Sequence, residues 1–385
     1  MTKAFTFNTA PSIQFGPGLI AEIGARAAPL GPKVCVVTDA GLQATGLVDR
    51  AVAHLADAGI EVAVFSEVVA DPPEKVVLDA AETVRRHGAT GVLGLGGGSP
   101  LDVAKLAAIL ATGDQKLAEI YGIGNVSGSR LPLMLVPTTA GTGSEVTPIA
   151  IITTGTSEKM GVVSPVLLPD IALLDPELTL GLPAPTTAAT GIDAMVHAIE
   201  AYASASPNNN PMSRSLAIKA LSLMGGAIER AVEDGGDVSA RSDMLLGSML
   251  AGQAFANSPV AAIHALAYPI GGHFKVPHGL SNALVLPHVL RFNSVTAPNP
   301  YAELAPHAFP QLSGLGPQEG AAAFAEALAD LSRRCGLPEG LRAVGIGEDA
   351  LPMMARDAMN QTRLLVNNPR EVTETDALAI YQAAW

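Results

Sequence analysis

The chain has 385 residues, of which 48% are hydrophobic and 15% are charged, and its formal net charge is −13. At about 150 residues per domain, this length predicts two domains, and the apolar content is sufficient for a sizeable core, which excludes a disordered chain. The excess of acidic residues argues against a nucleic-acid partner, because no basic stripe is available to neutralise phosphates.

Neither a targeting signal nor a membrane segment is predicted. The first residues lack a charged segment followed by an apolar run, and no uninterrupted stretch of about 18 apolar residues occurs. The two cysteines, Cys35 and Cys335, lie far apart in the sequence. We therefore expect a cytoplasmic protein with reduced thiols.

Strand and helix patterns alternate over the first half of the chain. Short apolar runs bounded by turn residues are typical of buried strands, and amphipathic stretches lie between them. The predicted elements are strands at 4–7 and 12–15, a helix at 19–28, a strand at 33–38, a helix at 47–58, a strand at 61–65, a helix at 73–87, a strand at 90–95, a helix at 101–111 and a strand at 133–136. This alternation predicts a parallel sheet with helices on both faces.

Strand patterns fade after about residue 180. Residues 181–185 (GLPAP) are suited to a linker, and helical patterns follow at 187–201, 212–232, 238–256, 260–272, 281–290, 321–336 and 373–384. The sequence therefore predicts an α/β dinucleotide-binding domain with a Rossmann-like sheet at 1–180 and an all-helical domain at 181–385.

A glycine turn, Gly96-Gly97-Gly98-Ser99, joins the strand at 90–95 to the next helix. Glycines at a helix start let a phosphate approach the free backbone N–H groups. The spacing does not match G-x-G-x-x-G, so an ordinary tight turn is about equally compatible with this motif alone.

Two further segments carry groups that suit a nucleotide. Residues 137–147 follow a strand and hold five hydroxyl side chains, although an ordinary Gly/Thr loop has the same composition. Asp39 directly follows the strand at 33–38. At the end of such a strand, an acid can bind a ribose 2′-hydroxyl and repel a 2′-phosphate. The sequence Asp39-Ala40-Gly41 is also typical of a simple turn.

An acid and several histidines stand out in the apolar second half. Asp193 and His197 are spaced i, i+4, which places them on one helix face. His264 and His278 follow on later helices, and one carboxylate with three imidazoles suits Zn²⁺ or Fe²⁺. His273 and His288 are spare candidates. A lone histidine is more often an ordinary core or surface residue, but burying four such groups unpaired in charge-poor helices is costly.

Taken together, these segments resemble the iron-containing (group III) alcohol dehydrogenases. The resemblance rests on residues 96–105, 138–147, 191–200 and 264–279, which occur in the family's order. It implies a homodimeric NAD(H)-linked oxidoreductase that interconverts small alcohols and aldehydes or ketones. Its Fe²⁺, or another divalent metal such as Zn²⁺, would be bound by Asp193, His197, His264 and His278, which are also the catalytic residues.

The resemblance also implies which residues hold the nucleotide. The implied set is Asp39, Gly97, Gly98, Ser99, Asp102, Thr138, Thr139, Thr142 and Lys159. One position departs from the family pattern, because Tyr268 stands where many members carry a histidine four residues after the third ligand. His273 could take over its role. Phe255 is expected either to line the substrate pocket or simply to pack in the core.

Two other function classes remain open from the sequence. A metal- and NAD-using lyase of the same fold, similar to dehydroquinate synthase, would regenerate its cofactor at each turnover. A binding protein with a structural metal would have four ligands and no open position.

Overall fold

The computed structural model describes residues 3–155 and 158–385, which fold into two compact units. The first unit comprises the described residues of Asn8–Thr139 and Gly143–Thr179. The second comprises Leu180–Trp385 together with residues 3–7 and Ala140–Thr142. Within the described part of the chain, no helix is long and apolar enough to cross a membrane.

Strands and helices alternate in the first unit. Its elements are β1 (Ser12–Phe15), α1 (Ile23–Arg26), β2 (Lys33–Asp39), α2 (Ala40–Ala44), α3 (Leu47–Asp57), β3 (Glu61–Val68), α4 (Glu74–His87), β4 (Gly91–Gly96), α5 (Gly98–Leu110), α6 (Leu117–Ile120), β5 (Gly122–Ile123), β6 (Leu133–Pro137), β7 (Ile149–Thr154), β8 (Glu158–Val163) and β9 (Ile171–Leu174).

Among the described residues, six strands form a parallel sheet in the order β1-β9-β6-β4-β2-β3. Successive residues of β2 point to opposite faces. Cys35 and Val37 pack in a core with α4 and α5, whereas Val34 and Val36 pack in a core with α1 and α3. Both faces are therefore covered by helices, and the predicted doubly wound sheet is confirmed.

Two parts of the first half differ from the prediction. Residues 3–10 form no strand, so the prediction of a strand at 4–7 was wrong, and β1 is the edge of the sheet. A second sheet, in the order β5-β8-β7, follows β6 and was not predicted. Its strand β5 has only two residues, which is too short to produce a periodic pattern.

Helix α5 packs very closely on the centre of the main sheet. A Cβ atom added at Gly94 of β4 would lie 2.8 Å from Leu135 Cδ2 and 2.9 Å from Ala104 Cβ. Because only glycine permits this approach, the start of α5 is fixed firmly at the carboxyl end of β4.

The second unit is all-helical, as predicted. Its helices are α7 (Ala184–Ala203), α8 (Pro211–Glu233), α9 (Val238–Asn257), α10 (Ala262–Phe274), α11 (His278–Ser294), α12 (Asn299–Ala308), α13 (Pro317–Arg334), α14 (Leu351–Ala358), α15 (Thr362–Leu365) and α16 (Glu374–Ala384). Helix α7 is buried along most of its length, so its polar residues lie inside the unit.

Candidate metal and nucleotide sites

Three helices of the second unit bring an acid and three histidines together. Asp193 and His197 lie one turn apart on α7, His264 lies in the first turn of α10, and His278 is the first residue of α11. One ligand atom from each of the four side chains lies within 4.8 Å of the other three. From Asp193 Oδ1, His278 Nε2 is 3.8 Å away and His264 Nε2 is 4.0 Å away.

Hydrogen bonds orient two of the imidazoles. His197 Nδ1 lies 3.2 Å from the Gly141 carbonyl oxygen, and His264 Nδ1 lies 2.6 Å from Glu200 Oε2. Glu200 is fixed in turn, because its Oε1 accepts a hydrogen bond from the Ile263 backbone N–H at 2.7 Å. With Nδ1 donating in each ring, Nε2 carries the lone pair that a cation would use, which is the usual arrangement of a metal-binding histidine.

Aromatic stacking and burial complete the environment of the cluster. The His197 ring stacks between Phe255 and His264, with centroid separations of 4.4 and 4.8 Å. Burial lowers the pKa of His197 to about 3, while Asp193 opposes this shift. His197 is therefore neutral near pH 7, as a metal ligand must be.

The donor set fits a divalent transition metal. One carboxylate and three imidazoles match the preferences of Fe²⁺ and Zn²⁺. Asn282 of α11 is also fully buried here, and its Oδ1 has no hydrogen-bond partner in the described part of the chain. A buried polar atom of this kind beside a set of ligands is expected where an ion belongs.

The glycine turn lies at the carboxyl end of β4. Gly96 ends the strand with φ of 150°, and a Cβ atom there would lie 2.7 Å from Pro100 Cγ. Gly97 is the N-cap of α5, so the helix begins at Gly98, three residues before the predicted start. Glycine and serine thus form its first turn, and their backbone N–H groups can face a phosphate.

Asp39 and the loop of residues 137–147, here called the second loop, flank this turn. Asp39 Oδ1 caps α2 by accepting the Leu42 N–H at 2.8 Å, and its Oδ2 would lie 3.5 Å from a Cβ atom at Gly96. The Thr138 N–H donates to the Gly96 carbonyl at 2.9 Å, and the Thr139 side chain is adjacent to Gly97. The structure therefore places Asp39, the glycines, Thr138 and Thr139 side by side at one edge of the sheet.

Asp102 lies one turn into α5, and both of its carboxylate oxygens accept hydrogen bonds from other residues of the protein. Its Oδ1 accepts the Ser144 hydroxyl at 2.6 Å, and its Oδ2 accepts the Ile151 N–H at 2.9 Å. The fully buried Lys105 donates to Ser144 Oγ at 2.7 Å and to the Ile149 carbonyl at 2.6 Å. These bonds hold the second loop against α5.

Lys159 of β8 is also bound within the first unit. Its ammonium group forms an ion pair with Asp71 and donates to Thr153 Oγ1 at 3.0 Å. Neither contact is predicted from local sequence patterns.

Comparison with known proteins identifies the family. The model of the family described as iron-containing alcohol dehydrogenase matches residues 10–176, and the model of the C-terminal region of the Fe-containing alcohol dehydrogenase family matches residues 187–385. The chain belongs to the iron-containing alcohol dehydrogenase family.

Three similar proteins illustrate the range of this family. The chain is 40% identical to long-chain-alcohol dehydrogenase 1 of Geobacillus thermodenitrificans (strain NG80-2), over 97% of this chain and 95% of that one. It is 32% identical to the NAD-dependent methanol dehydrogenase of Bacillus methanolicus, over 97% and 98% of the two chains. The chain also superposes on a crystal structure of 1,3-propanediol oxidoreductase over 100% of both chains, with a TM-score of 0.95 and 37% sequence identity.

As a member of the iron-containing alcohol dehydrogenases, the protein is an NAD-dependent oxidoreductase that acts on CH–OH groups of small alcohols or on the corresponding aldehydes. Its cofactors are NAD(H) and a divalent metal, for which the cluster of Asp193, His197, His264 and His278 is the site. The family match favours the dehydrogenase over the lyase.

Tyr268 and His273, both on α10, differ in their relation to the metal cluster. The ring of Tyr268, one turn after His264 on α10, lies 6.1 Å from the ring of His278, and its hydroxyl oxygen is 3.5 Å from Arg363 Nη2. His273 forms a hydrogen bond with Asp357 and does not belong to the group of potential ligands in the described residues.

Glu200 and Asn282 are functional candidates that the sequence reasoning missed. Glu200 has a weak sequence signal, because it lies three residues after His197 and therefore near the same face of α7. Asn282 has a similar signal, four residues after His278 on α11. Their contacts depend on how the helices pack, which spacing along one helix does not show.

Proposed function

We propose that this enzyme is an iron-dependent reductase of small aldehydes, running reversibly as an alcohol dehydrogenase with NAD(H) in preference to NADP(H). The observation that carries the proposal is the cluster of four ligand atoms, three of them on buried side chains, with two imidazoles oriented by Gly141 and Glu200. We assign nucleotide binding to residues 1–180 and metal binding and catalysis to residues 181–385.

For the nucleotide, we assign pyrophosphate binding to the first turn of α5, through Gly97, Gly98 and Ser99. Thr138, Thr139 and Thr142 provide further hydroxyl and backbone donors, and Lys159 reaches the nucleotide by exchanging its contact with Asp71. Asp102 acts through the second loop, because both of its oxygens already accept hydrogen bonds from that region.

For the metal, we assign Asp193, His197, His264 and His278 as ligands and catalytic residues. A divalent cation at this position acts as a Lewis acid toward the oxygen of an alcohol or carbonyl, and NAD(H) exchanges the hydride. The chain supplies the three imidazoles, buries three of the four ligand side chains and orients His264 through Glu200.

At the substrate end, we propose that Tyr268 takes the place of the family's histidine. Its hydroxyl is near Arg363 and its ring is near His278, which supports a role in exchanging the hydroxyl proton with solvent. Phe255, which stacks on His197, supplies an apolar wall.

We further propose a cytoplasmic homodimer. The cytoplasmic assignment is supported by two buried, unpaired cysteines, Cys35 and Cys335, which suit a reducing compartment. The homodimer is supported by the family resemblance.

Metal removal tests this proposal. We expect the enzyme stripped by a chelator to lose at least about 100-fold in NADH-dependent aldehyde reduction, because the Lewis acid supplies several kcal/mol of transition-state stabilisation. Anaerobic addition of Fe²⁺ should restore the rate, and addition of Zn²⁺ shows whether the metal choice matters. The assay follows NADH absorbance with a panel of small aldehydes.

Far-UV circular dichroism provides the control. For a catalytic site, the stripped protein keeps its helical signal. Loss of helix on stripping would indicate a structural metal instead, and undiminished turnover without metal would contradict the assignment.

A further inference from the structure

Asn282 lies where three metal-ligating atoms meet. It is one turn after His278 on α11, so both side chains project from the same face of the helix, and it is completely buried. Its Nδ2 donates to Asp193 Oδ1 at 2.5 Å and lies 3.3 Å from both His264 Nε2 and His278 Nε2. The carboxamide therefore contacts three of the four ligands through their metal-binding atoms.

The two distances from Asn282 Nδ2 to the histidine nitrogens are those expected within a coordination shell. Ligand atoms about 2.1 Å from one cation lie about 3.0–3.4 Å from each other at octahedral or tetrahedral angles. The two 3.3 Å separations fall in this range, so a side-chain atom of Asn282 occupies a position that suits a further donor.

The other end of the same carboxamide is unsatisfied. Asn282 Oδ1 is buried and has no hydrogen-bond partner among residues 3–155 and 158–385. An unpaired buried carbonyl oxygen is destabilising, so the present orientation satisfies the N–H donors at the expense of the oxygen. A half-turn of the amide about its Cβ–Cγ bond exchanges the two ends.

We propose that Asn282 is a fifth side chain of the metal centre, with its carboxamide oxygen facing the cation in the loaded enzyme. A bound cation uses the lone pairs to which the Nδ2 hydrogens now donate, and it repels N–H dipoles directed at it. The half-turn about the Cβ–Cγ bond removes this repulsion, and the cation then becomes the partner of Oδ1. The inference rests on the proposed metal site and deepens it.

Two substitutions separate metal binding from packing. Asn282→Leu keeps the shape but removes both polar atoms, and we expect a 10- to 100-fold loss of metal affinity in chelator competition. Asn282→Asp restores an oxygen donor, so we expect metal affinity within about threefold of wild type or tighter. Ser281→Ala is the matched control, because Ser281 is equally buried but donates only to the Val276 and Pro277 carbonyls.

The visible spectrum of the Co²⁺-loaded protein is the second readout, because it reports the donor atoms. We expect the Asn282→Asp spectrum to differ from wild type and the Ser281→Ala spectrum to match it. An Asn282→Leu variant with wild-type metal affinity, or an Asn282→Asp variant as weak as Asn282→Leu, would overturn the inference. If Asn282→Leu does not fold, an unchanged Asn282→Asp spectrum would overturn it instead. Wild-type protein that binds no metal would refute the metal site itself.

Discussion

Asp39 combines a structural and a chemical role in one carboxylate. One oxygen caps α2, and the other faces the side of the glycine turn, because β2 and β4 are neighbours in the sheet. An acid in this place can hydrogen-bond the ribose 2′-hydroxyl of NAD and repel the 2′-phosphate of NADP.

We expect the Asp39→Gly variant to shift the NADPH/NADH ratio of kcat/KM by about tenfold toward NADPH, which corresponds to about 1.4 kcal/mol of lost discrimination. Asp39→Asn is the matched control, because asparagine is an equally good N-cap without the charge. It should relax the preference as well. A ratio unchanged in both variants would show that Asp39 does not select the cofactor.

The four metal ligands could be predicted at the residue scale, whereas the residues that support them could not. Asp193 and His197 share a helix, so their i, i+4 spacing already indicated a common face. Glu200 and Asn282 acquire their partners only where α7, α10 and α11 meet. Neither residue type is distinctive in a sequence without this packing.

At the scale of elements, the second loop is held by an unusually buried polar network. Its central residue Lys105 is fully buried, and the neighbouring Glu145 is 2% exposed. Burial raises the pKa of Glu145 to about 7, from an ordinary value of 4.5, although Lys105 opposes the shift. The folded protein therefore binds the proton more tightly than the unfolded chain does.

This network predicts a pH-dependent stability. Between pH 5 and 8 the unfolded chain loses the Glu145 proton first, so the contribution of Glu145 to the free energy of unfolding, measured as the difference between wild type and Glu145→Gln, should fall as the pH rises, by up to about 3 kcal/mol. Glu145→Gln removes this dependence and should be more stable than wild type at pH 8. Urea unfolding at both pH values measures the difference. The exposed Glu67→Gln is the control, and a wild-type pH dependence in Glu145→Gln would contradict the prediction.

The elements that were predicted well are those with long regular patterns. The strands β2 and β4 and most helices of the second half fall near their expected positions, because their apolar runs decide the structure. The start of α5 was placed too late, because glycine and proline are poor helix formers in a helix interior but are tolerated in its first turn. In the second sheet, β5 pairs with the distant strand β8, for which local pattern holds no information, whereas β7 and β8 are consecutive antiparallel strands.

At the scale of the whole molecule, composition and structure agree. A chain with only 15% charged residues can bury the central strands β2, β4, β6 and β9 and most of α7, and its buried polar residues include those of the metal cluster and of the loop beside α5. The acidic net charge has no visible part in either site.

Deuterium transfer from NADH that carries deuterium at both positions of nicotinamide C4 examines the complete reaction. Metal-loaded wild-type enzyme should deliver one deuterium to the carbinol carbon of the product for each NADH oxidised, whereas His264→Ala should lose both bound metal and transfer. Ser281→Ala should behave as wild type. Turnover without net NADH oxidation would indicate a lyase, and normal deuterium transfer by metal-free His264→Ala would contradict metal-dependent hydride transfer.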